Sequence, residues 1–285
     1  MLEIVSVLEQ NVMLFYVMAF IVGLIVGSFI NVVILRMPPL LEFAWKKDFA
    51  DFTESEFKDE KPPGIAFTRS HCPKCKNQLS SWHNIPLFSY LILRGRCHFC
   101  KEKISVRYPF VEFLTAVLTL LMAYQFGFGL AFLAACLLLW MLIVITWIDV
   151  DTYLIPDQLS LSLLWLGLFF SLFGFSIQPE EAIKGALIGY LCLWLVFHLF
   201  KLITGKEGMG YGDFKLLAAG GAWLGPELLI AVLFIASISG LVFALLQMIM
   251  KKGSNKIPFG PYLSMGILVS YLLGDQIINF MFPGL

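Results

Sequence analysis

The sequence predicts an all-α integral membrane protein, a bundle of about eight transmembrane helices carrying one small polar domain, and three observations lead there. First, apolar residues make up 59% of the 285 residues and charged residues only 14%, with a mean hydropathy of +0.83. A soluble domain cannot hide that much apolar surface, whereas a bilayer solvates it. Second, the apolar residues come in uninterrupted runs close to the ~20 residues that cross a hydrocarbon core. A membrane β-barrel would alternate in character over ten-residue strands, so these runs are helices whose backbone groups satisfy one another. Third, the polar residues are concentrated in one stretch, 36–107. A net charge of zero gives no reason to expect a nucleic-acid partner.

The first run, 12–35, follows ten residues that hold Glu3 and Glu9 and no basic residue. That is the wrong sign for a cleaved signal peptide, so the run reads as a retained first span. Gly23 and Gly27, followed by Ser28, have the spacing that lets two helices approach closely. Asn31 is read as an interhelical hydrogen-bonding residue, and Arg36 and Pro38 as the exit from the membrane. In the polar stretch, Leu41, Trp45, Phe49 and Phe52 recur at near-helical spacing among charged residues. They fit either a helix lying on the membrane surface or an amphipathic helix packed on the loop domain.

Further spans are expected at 109–126, 128–148, 158–176, 182–203, 226–250 and 260–281, with a short apolar piece at 214–224. Glu112, early in the second span, faces the bundle interior or the headgroups. Pro156 closes the segment after Asp149, and Asp157 stands where it could cap the next helix. Gln178-Pro179-Glu180-Glu181 reads as a short turn. Cys136 and Cys192 lie inside spans as small core residues. No internal repeat stands out.

The basic residues orient the bundle. The 36–107 stretch holds 13 of the 20 Lys and Arg residues. Lys201, Lys206, Lys215, Lys251, Lys252 and Lys256 fall on the same predicted side, and only Lys184 falls opposite. The positive-inside rule then puts the 36–107 loop in the cytoplasm and the N-terminus outside.

Two carboxylates at membrane level carry the strongest chemical signal. Asp149 ends an apolar run in Ile148-Asp149-Val150-Asp151, and Asp213 sits in Gly208-Met209-Gly210-Tyr211-Gly212-Asp213. A charge there is costly unless it has a partner or water, which makes both functional candidates. Two carboxylates about 3 Å apart cannot both ionise, so they hold one proton between them. The ionised member can then activate water while the protonated one polarises a scissile carbonyl. The glycines at 208, 210 and 212 would allow close backbone approach and strained angles. Alternatives stay open from the residues alone: acids that cap helices or bind interfacial water, as Asp151 and Asp157 are read, or ligands of a coupling ion in a transporter.

The second constellation is Cys72-Pro73-Lys74-Cys75 and Cys97-His98-Phe99-Cys100. Two such knuckles, 21 residues apart, read as a four-thiolate tetrahedral zinc site. A reducing cytoplasmic loop disfavours disulfides, and neighbouring Arg69, Lys74, Lys76, Arg94, Arg96 and Lys101 favour thiolates. A closed four-sulfur site has no open position, so the zinc is structural. A redox-active dithiol is the alternative. His71, His83 and His98 read as surface or network residues.

Together these blocks resemble the type IV prepilin peptidase family, bifunctional bacterial membrane enzymes of the GxGD aspartic protease class. The resemblance runs from Gly23 to about Pro261. It rests on Gly-Ser-Phe-Ile-Asn-Val at 27–32 with Arg36, and on Arg69-Ser70-His71-Cys72 and Asn84-Ile85-Pro86. It continues in Arg94-Gly95-Arg96-Cys97, in Arg107-Tyr108-Pro109 with Glu112, in Asp149 with Pro156-Asp157, and in Gly210-Tyr211-Gly212-Asp213. The resemblance implies an enzyme that cuts the leader from type IV prepilins and type II secretion pseudopilins, after a glycine, at the cytoplasmic face of the bacterial inner membrane. It would then methylate the new N-terminal residue, commonly Phe, with S-adenosylmethionine as methyl donor. Asp149 and Asp213 would be the catalytic pair, and Cys72, Cys75, Cys97 and Cys100 the zinc ligands. Gly95 and Arg96 match a segment tied to methylation, although a tight turn into the second knuckle explains them equally well. No glycine-rich dinucleotide fingerprint marks a cofactor site.

The expected organisation is a first transmembrane helix (1–35), a cytoplasmic zinc-binding, methyltransferase-associated loop domain (36–107) and a multi-helix peptidase domain (108–285). Rival readings are a peptidase that has lost methylation, an ion-coupled transporter and an inactive zinc-stabilised scaffold. Membrane lipid and prepilin substrates are the expected partners.

Overall fold

The computed structural model describes residues 11–66, 68–72, 74–78, 80, 82, 85–250 and 257–281. Glu3, Glu9, Pro73, His83, Asn84, Lys251, Lys252 and Lys256 lie outside the described residues. Among those described, the secondary structure is helical: α1 (Val12–Phe52), α2 (Phe88–Ile92), α3 (Arg107–Phe126), α4 (Leu130–Thr152), α5 (Asp157–Leu172), α6 (Pro179–Thr204), α7 (Tyr211–Leu224), α8 (Leu229–Ile249) and α9 (Gly260–Met281). Six of these, α1, α3, α4, α6, α8 and α9, are long and apolar enough to cross a bilayer, and α5 is apolar but shorter. Large apolar side chains such as Ile230, Phe234, Ile238 and Leu245 on α8 stay exposed, as lipid-facing residues do.

The chain forms two compact units, Met1–Phe128 and Gly129–Leu285. In the first, α1 and α3 pack through the glycine stripe read in the sequence. A Cβ added at Gly23 would lie 2.6 Å from Ala116 Cα, and one at Gly27 would lie 2.8 Å from Glu112 Cα. Asn31 Nδ2 donates to the Tyr108 carbonyl at 3.1 Å, the interhelical bond expected of it.

Three expectations for this unit change. First, α1 does not stop at Pro38 but continues through Pro38 and Pro39 to Phe52. At about 1.5 Å per residue its 41 residues far outrun a ~30 Å hydrocarbon core. The 41–52 segment is therefore a continuation of the first helix beyond the span. Leu41 and Ala50 are buried, while Trp45, Phe49 and Phe52 remain exposed. Second, Arg36 organises the loop: its guanidinium donates to the carbonyls of Gly64 at 2.7 Å, Thr68 at 2.8 Å and Arg69 at 3.2 Å. Third, the two knuckles form a local repeat that composition hides. In each, the first cysteine's N–H bonds a carbonyl five residues on, Cys72 to Asn77 at 3.0 Å and Cys97 to Glu102 at 2.8 Å. In each, the residue after the second cysteine is left-handed, Lys76 at φ 59° and Lys101 at φ 58°. Isolated antiparallel bridges, His71 with Gln78 and Arg96 with Lys103, close them.

The second unit is built around α7. Apart from Lys215, this 14-residue helix is buried from Asp213 to Leu224, so it is a core element enclosed by its neighbours. Small residues make that enclosure possible. Gly221 of α7 meets Gly185 of α6 so closely that a Cβ added on Gly221 would touch the Gly185 carbonyl oxygen. Trp223 Nε1 donates to the Leu163 carbonyl of α5 at 2.9 Å, pinning α5 to α7. α9 packs Ile267 against Gly220.

One boundary and one burial differ from expectation in this unit. α6 begins at Pro179, with Glu180 and Glu181 in its first turn, because proline without an N–H suits a first helical position. Cys192 is exposed on α6 rather than part of the core, whereas Cys136 is buried.

Candidate functional site

Asp149 is placed by periodicity. Leu138, Leu142 and Ile145 form the buried stripe of α4, and Asp149 is the next position on it, 4% exposed. The helix ends three residues later, where Tyr153 takes a left-handed conformation (φ 56°) and donates its N–H to the Asp149 carbonyl. Asp213 is placed by a helix start. Gly210 is extended (φ −83°, ψ 150°) at the N-cap of α7, which leaves Asp213 in the first turn, 7% exposed. Its N–H donates to the Gly210 carbonyl at 3.3 Å. A carboxylate there also faces the positive end of the helix dipole.

Ile155 joins the two positions. A Cβ added at Gly212 would lie 2.8 Å from Ile155 Cβ, and one added at Gly260 would lie 3.0 Å from Ile155 Cδ1 and 2.6 Å from Asp149 Oδ2. The Gly260 N–H donates to Asp149 Oδ2 at 2.9 Å. Thus the end of α4, the start of α7 and the start of α9 converge on one isoleucine, and the two carboxylates lie within electrostatic reach of each other. Asp151 and Asp157 are exposed, so burial separates the candidate pair from its sequence neighbours.

The glycine and cap expectations need correction. None of Gly208, Gly210 and Gly212 has a positive φ, so the motif stores no backbone strain of that kind. What Gly212 supplies is room for Ile155. Asp157 does not cap α5: it is the first residue of that helix, Pro156 is the N-cap, and no side chain caps it. The Asp157 carboxylate instead accepts from Lys215 Nζ at 2.6 Å, tying α5 to α7 one turn from the site. Gly260 was not singled out from the sequence. The glycine between Phe259 and Pro261, opening an apolar run, was the available signal.

The four cysteines of the 36–107 stretch converge. One sulfur from each of Cys72, Cys75, Cys97 and Cys100 lies within 4.8 Å of the others, and Cys72 Sγ and Cys100 Sγ are 3.8 Å apart. Four thiolates at ~2.3 Å from a tetrahedral zinc would be about 3.8 Å apart, so the donor set and its size suit that ion. Backbone N–H groups supply the outer layer. The Cys75 N–H, aided by that of Lys74, outweighs burial and pulls the Cys72 thiol down to about 7. The Glu102 N–H lowers Cys100 too, but burial and the neighbouring cysteines override it and push that thiol up to about 11. A first thiolate therefore forms readily and the last needs a metal to displace its proton. Lys74 Nζ bridges to Glu102 Oε1 at 2.8 Å and links one knuckle to the other.

Gly95 makes the turn before the second knuckle. It has φ 67°, its N–H donates to the Tyr90 carbonyl, and a Cβ on it would lie 2.8 Å from the Tyr90 ring. That contact alone accounts for a glycine here. Arg96 lines a cavity of about 340 Å³ together with Leu93, Arg94, Cys97 and Lys101. Glu112 is buried and accepts the Leu87 N–H at 2.9 Å, so it faces inward.

Comparison with known proteins agrees along the chain. The Bacterial Peptidase A24 N-terminal domain matches residues 21–126, and the Type IV leader peptidase family matches residues 136–245. A prepilin leader peptidase/N-methyltransferase of Stutzerimonas stutzeri is 46% identical over 279 residues, covering 96% of each chain. A protein of the same name from Aeromonas hydrophila is 46% identical, covering 93% of this chain and 92% of its own. One from Pseudomonas aeruginosa is 42% identical, covering 97% and 96%. No solved structure matches.

Proposed function

The chain belongs to the type IV leader peptidase family, and from that premise we propose that it cleaves the leader from prepilins and pseudopilins and then methylates the new N-terminus. Asp149 and Asp213 are the catalytic pair in this reading. The observation that carries it is their burial together: among the described residues they are the only buried aspartates, Asp213 follows Gly212, which packs on Ile155, and Asp149 accepts from Gly260, which packs on the same isoleucine. Desolvated carboxylates in one site hold a single proton between them. The ionised one takes a proton from water as that water attacks the scissile carbonyl. The protonated one gives its proton to the carbonyl oxygen, and collapse of the tetrahedral intermediate returns a proton to the leaving amine. The Gly260 N–H fixes the Asp149 carboxylate while this happens.

The substrate is itself a membrane protein in this reading. Its apolar helix lies against the bundle and its basic leader stays on the cytoplasmic side of the inner membrane, where the positive-inside rule puts the 36–107 stretch. The cysteine cluster, held as zinc thiolates by Cys72, Cys75, Cys97 and Cys100, closes the two knuckles into one fold and offers no open coordination position. That fold serves methyl transfer, and residues 108–285 carry the peptidase. S-adenosylmethionine is the methyl donor. Gly95 contributes through the turn it makes under Tyr90, and Arg96 offers a guanidinium to the donor's carboxylate.

The test is the mass of the product. Purified enzyme, prepilin and S-adenosylmethionine should yield a chain lacking its leader and carrying one added methyl group. Leader loss with no methyl, even with excess donor, would leave a peptidase alone. An intact prepilin would overturn the proposal.

A further inference from the structure

Three consecutive features of the first unit, none used in the chemistry above, share one surface. The short helix α2 carries Phe88, Leu91 and Ile92 at i, i+3 and i+4, which is one helical face, and they are 59%, 71% and 78% exposed. Directly after it, Arg94 and Lys101 line the cavity that Arg96 also borders, and among the described residues no carboxylate lines it. Among the described residues, no ion pair engages Arg94, Arg96 or Lys101, whereas the nearby Glu102 is taken by Lys74.

The third feature fixes the height of this surface. The Leu87 N–H, immediately before α2, donates to Glu112 Oε2. Glu112 lies five residues into α3, one of the helices apolar enough to span a bilayer. Five residues are about 7.5 Å of helix rise. The headgroup layer on each side of a hydrocarbon core is of similar thickness, roughly 5–7 Å. The start of α2 is therefore tied within about one and a half turns of the polar end of an apolar span, which sets its three apolar side chains beside the interfacial layer.

We propose that residues 88–101 are a lipid-docking surface, with Phe88, Leu91 and Ile92 entering the interfacial layer and Arg94 and Lys101 holding the phosphate of an anionic phospholipid. The apolar face explains an exposure that water would penalise, and the cations after it match the charge of the headgroups. The charge pattern favours lipid over the methyl donor as occupant. S-adenosylmethionine carries a sulfonium and an ammonium against one carboxylate, so three cations around one cavity suit a phosphate better than that donor. This docking goes beyond the proposed activity and does not depend on it.

The test uses the full zinc-loaded chain in nanodiscs of phosphatidylcholine, with and without phosphatidylglycerol, followed by amide hydrogen exchange over 87–104 and by native mass spectrometry of retained lipid. Phosphatidylglycerol should slow exchange in this segment and remain bound where phosphatidylcholine does not. At a factor of about five per cation near an anionic surface, Arg94→Gln with Lys101→Gln should weaken phosphatidylglycerol retention about thirtyfold, at unchanged zinc content. Leu91→Ser with Ile92→Ser, which leaves the cations in place, should abolish the slowed exchange. Equal behaviour in the two lipids would overturn the proposal, as would a charge variant within threefold of wild type. So would equal protection by millimolar inorganic phosphate or S-adenosylmethionine alone, which would assign the cavity to a soluble anion or to the donor.

Discussion

Gly260 is the most demanding test of how the site is held. In Gly260→Ala the new Cβ would start 2.6 Å from Asp149 Oδ2, against 3.4 Å for an ordinary contact, so the carboxylate must yield by about 0.8 Å. The Gly260 backbone opens α9, and the same Cβ would lie 3.0 Å from Ile155 Cδ1, so the closer carboxylate must move most. Moving it weakens the bond from the Gly260 N–H, and a hydrogen bond to a charged group contributes about 1.5–3 kcal/mol. That converts to roughly 10- to 150-fold in rate. A misplacement approaching 1 Å at a reacting group alone costs about 10²-fold. The expected result is therefore a kcat for leader cleavage about 10²–10³ lower, with KM little changed because the bond that weakens is to Asp149. The assay is cleavage of reconstituted prepilin under saturating substrate, with zinc content and melting temperature measured on the same preparation. A variant that melts like wild type and cleaves within threefold of it would refute the reasoning, since the clash would then have been absorbed without moving Asp149.

Two further predictions concern the first unit. Gly23→Val pushes a side chain into Ala116 Cα, already 2.6 Å from the position of a first carbon, and overpacking of this kind destabilises by about 1–3 kcal/mol. Thermal unfolding in detergent should show it as a lower melting temperature, and an unchanged one would contradict the α1–α3 packing. Zinc affinity should depend on pH with a worked sign. Between about pH 7 and 11 the Cys100 thiol holds a proton that the metal must displace, so apparent affinity rises about tenfold per unit of pH from that group. Below about 7 Cys72 also takes up a proton, and the dependence steepens. Chelator competition with a pH indicator reports both, and a flat affinity between pH 7 and 9 would contradict the assignment.

Much of this arrangement was legible in the sequence because it rests on local pattern. Apolar runs gave the spans, glycine spacing gave the α1–α3 contact, and the CxxC pairs gave the sulfur cluster. Asp149 was visible as a charge closing an apolar run. What remained hidden depends on contacts distant in sequence. Gly260 matters through a residue 111 positions away. Gly212 looked like a source of backbone freedom and proved to be a space for Ile155, which only the fold brings near. Asp157 sat where a capping residue sits, yet Lys215 was available across the helix start and took its carboxylate. Pro38 marked the exit from the membrane, but the backbone bonds lost at Pro38 and Pro39 did not end the helix there. Cys192 faces outward because α6 is partly lipid-facing, and a membrane span can expose apolar residues that a soluble helix would bury.

The central claim is that Asp149 and Asp213 act as one unit. Cleavage rates of Asp149→Asn, Asp213→Asn and the double variant on reconstituted prepilin test it most directly, because groups that share one step are not additive. The account predicts that each single variant loses cleavage as completely as the double one, while all three fold and retain zinc. Substantial cleavage by either single variant, or a double variant slower by the product of the two single losses, would contradict it.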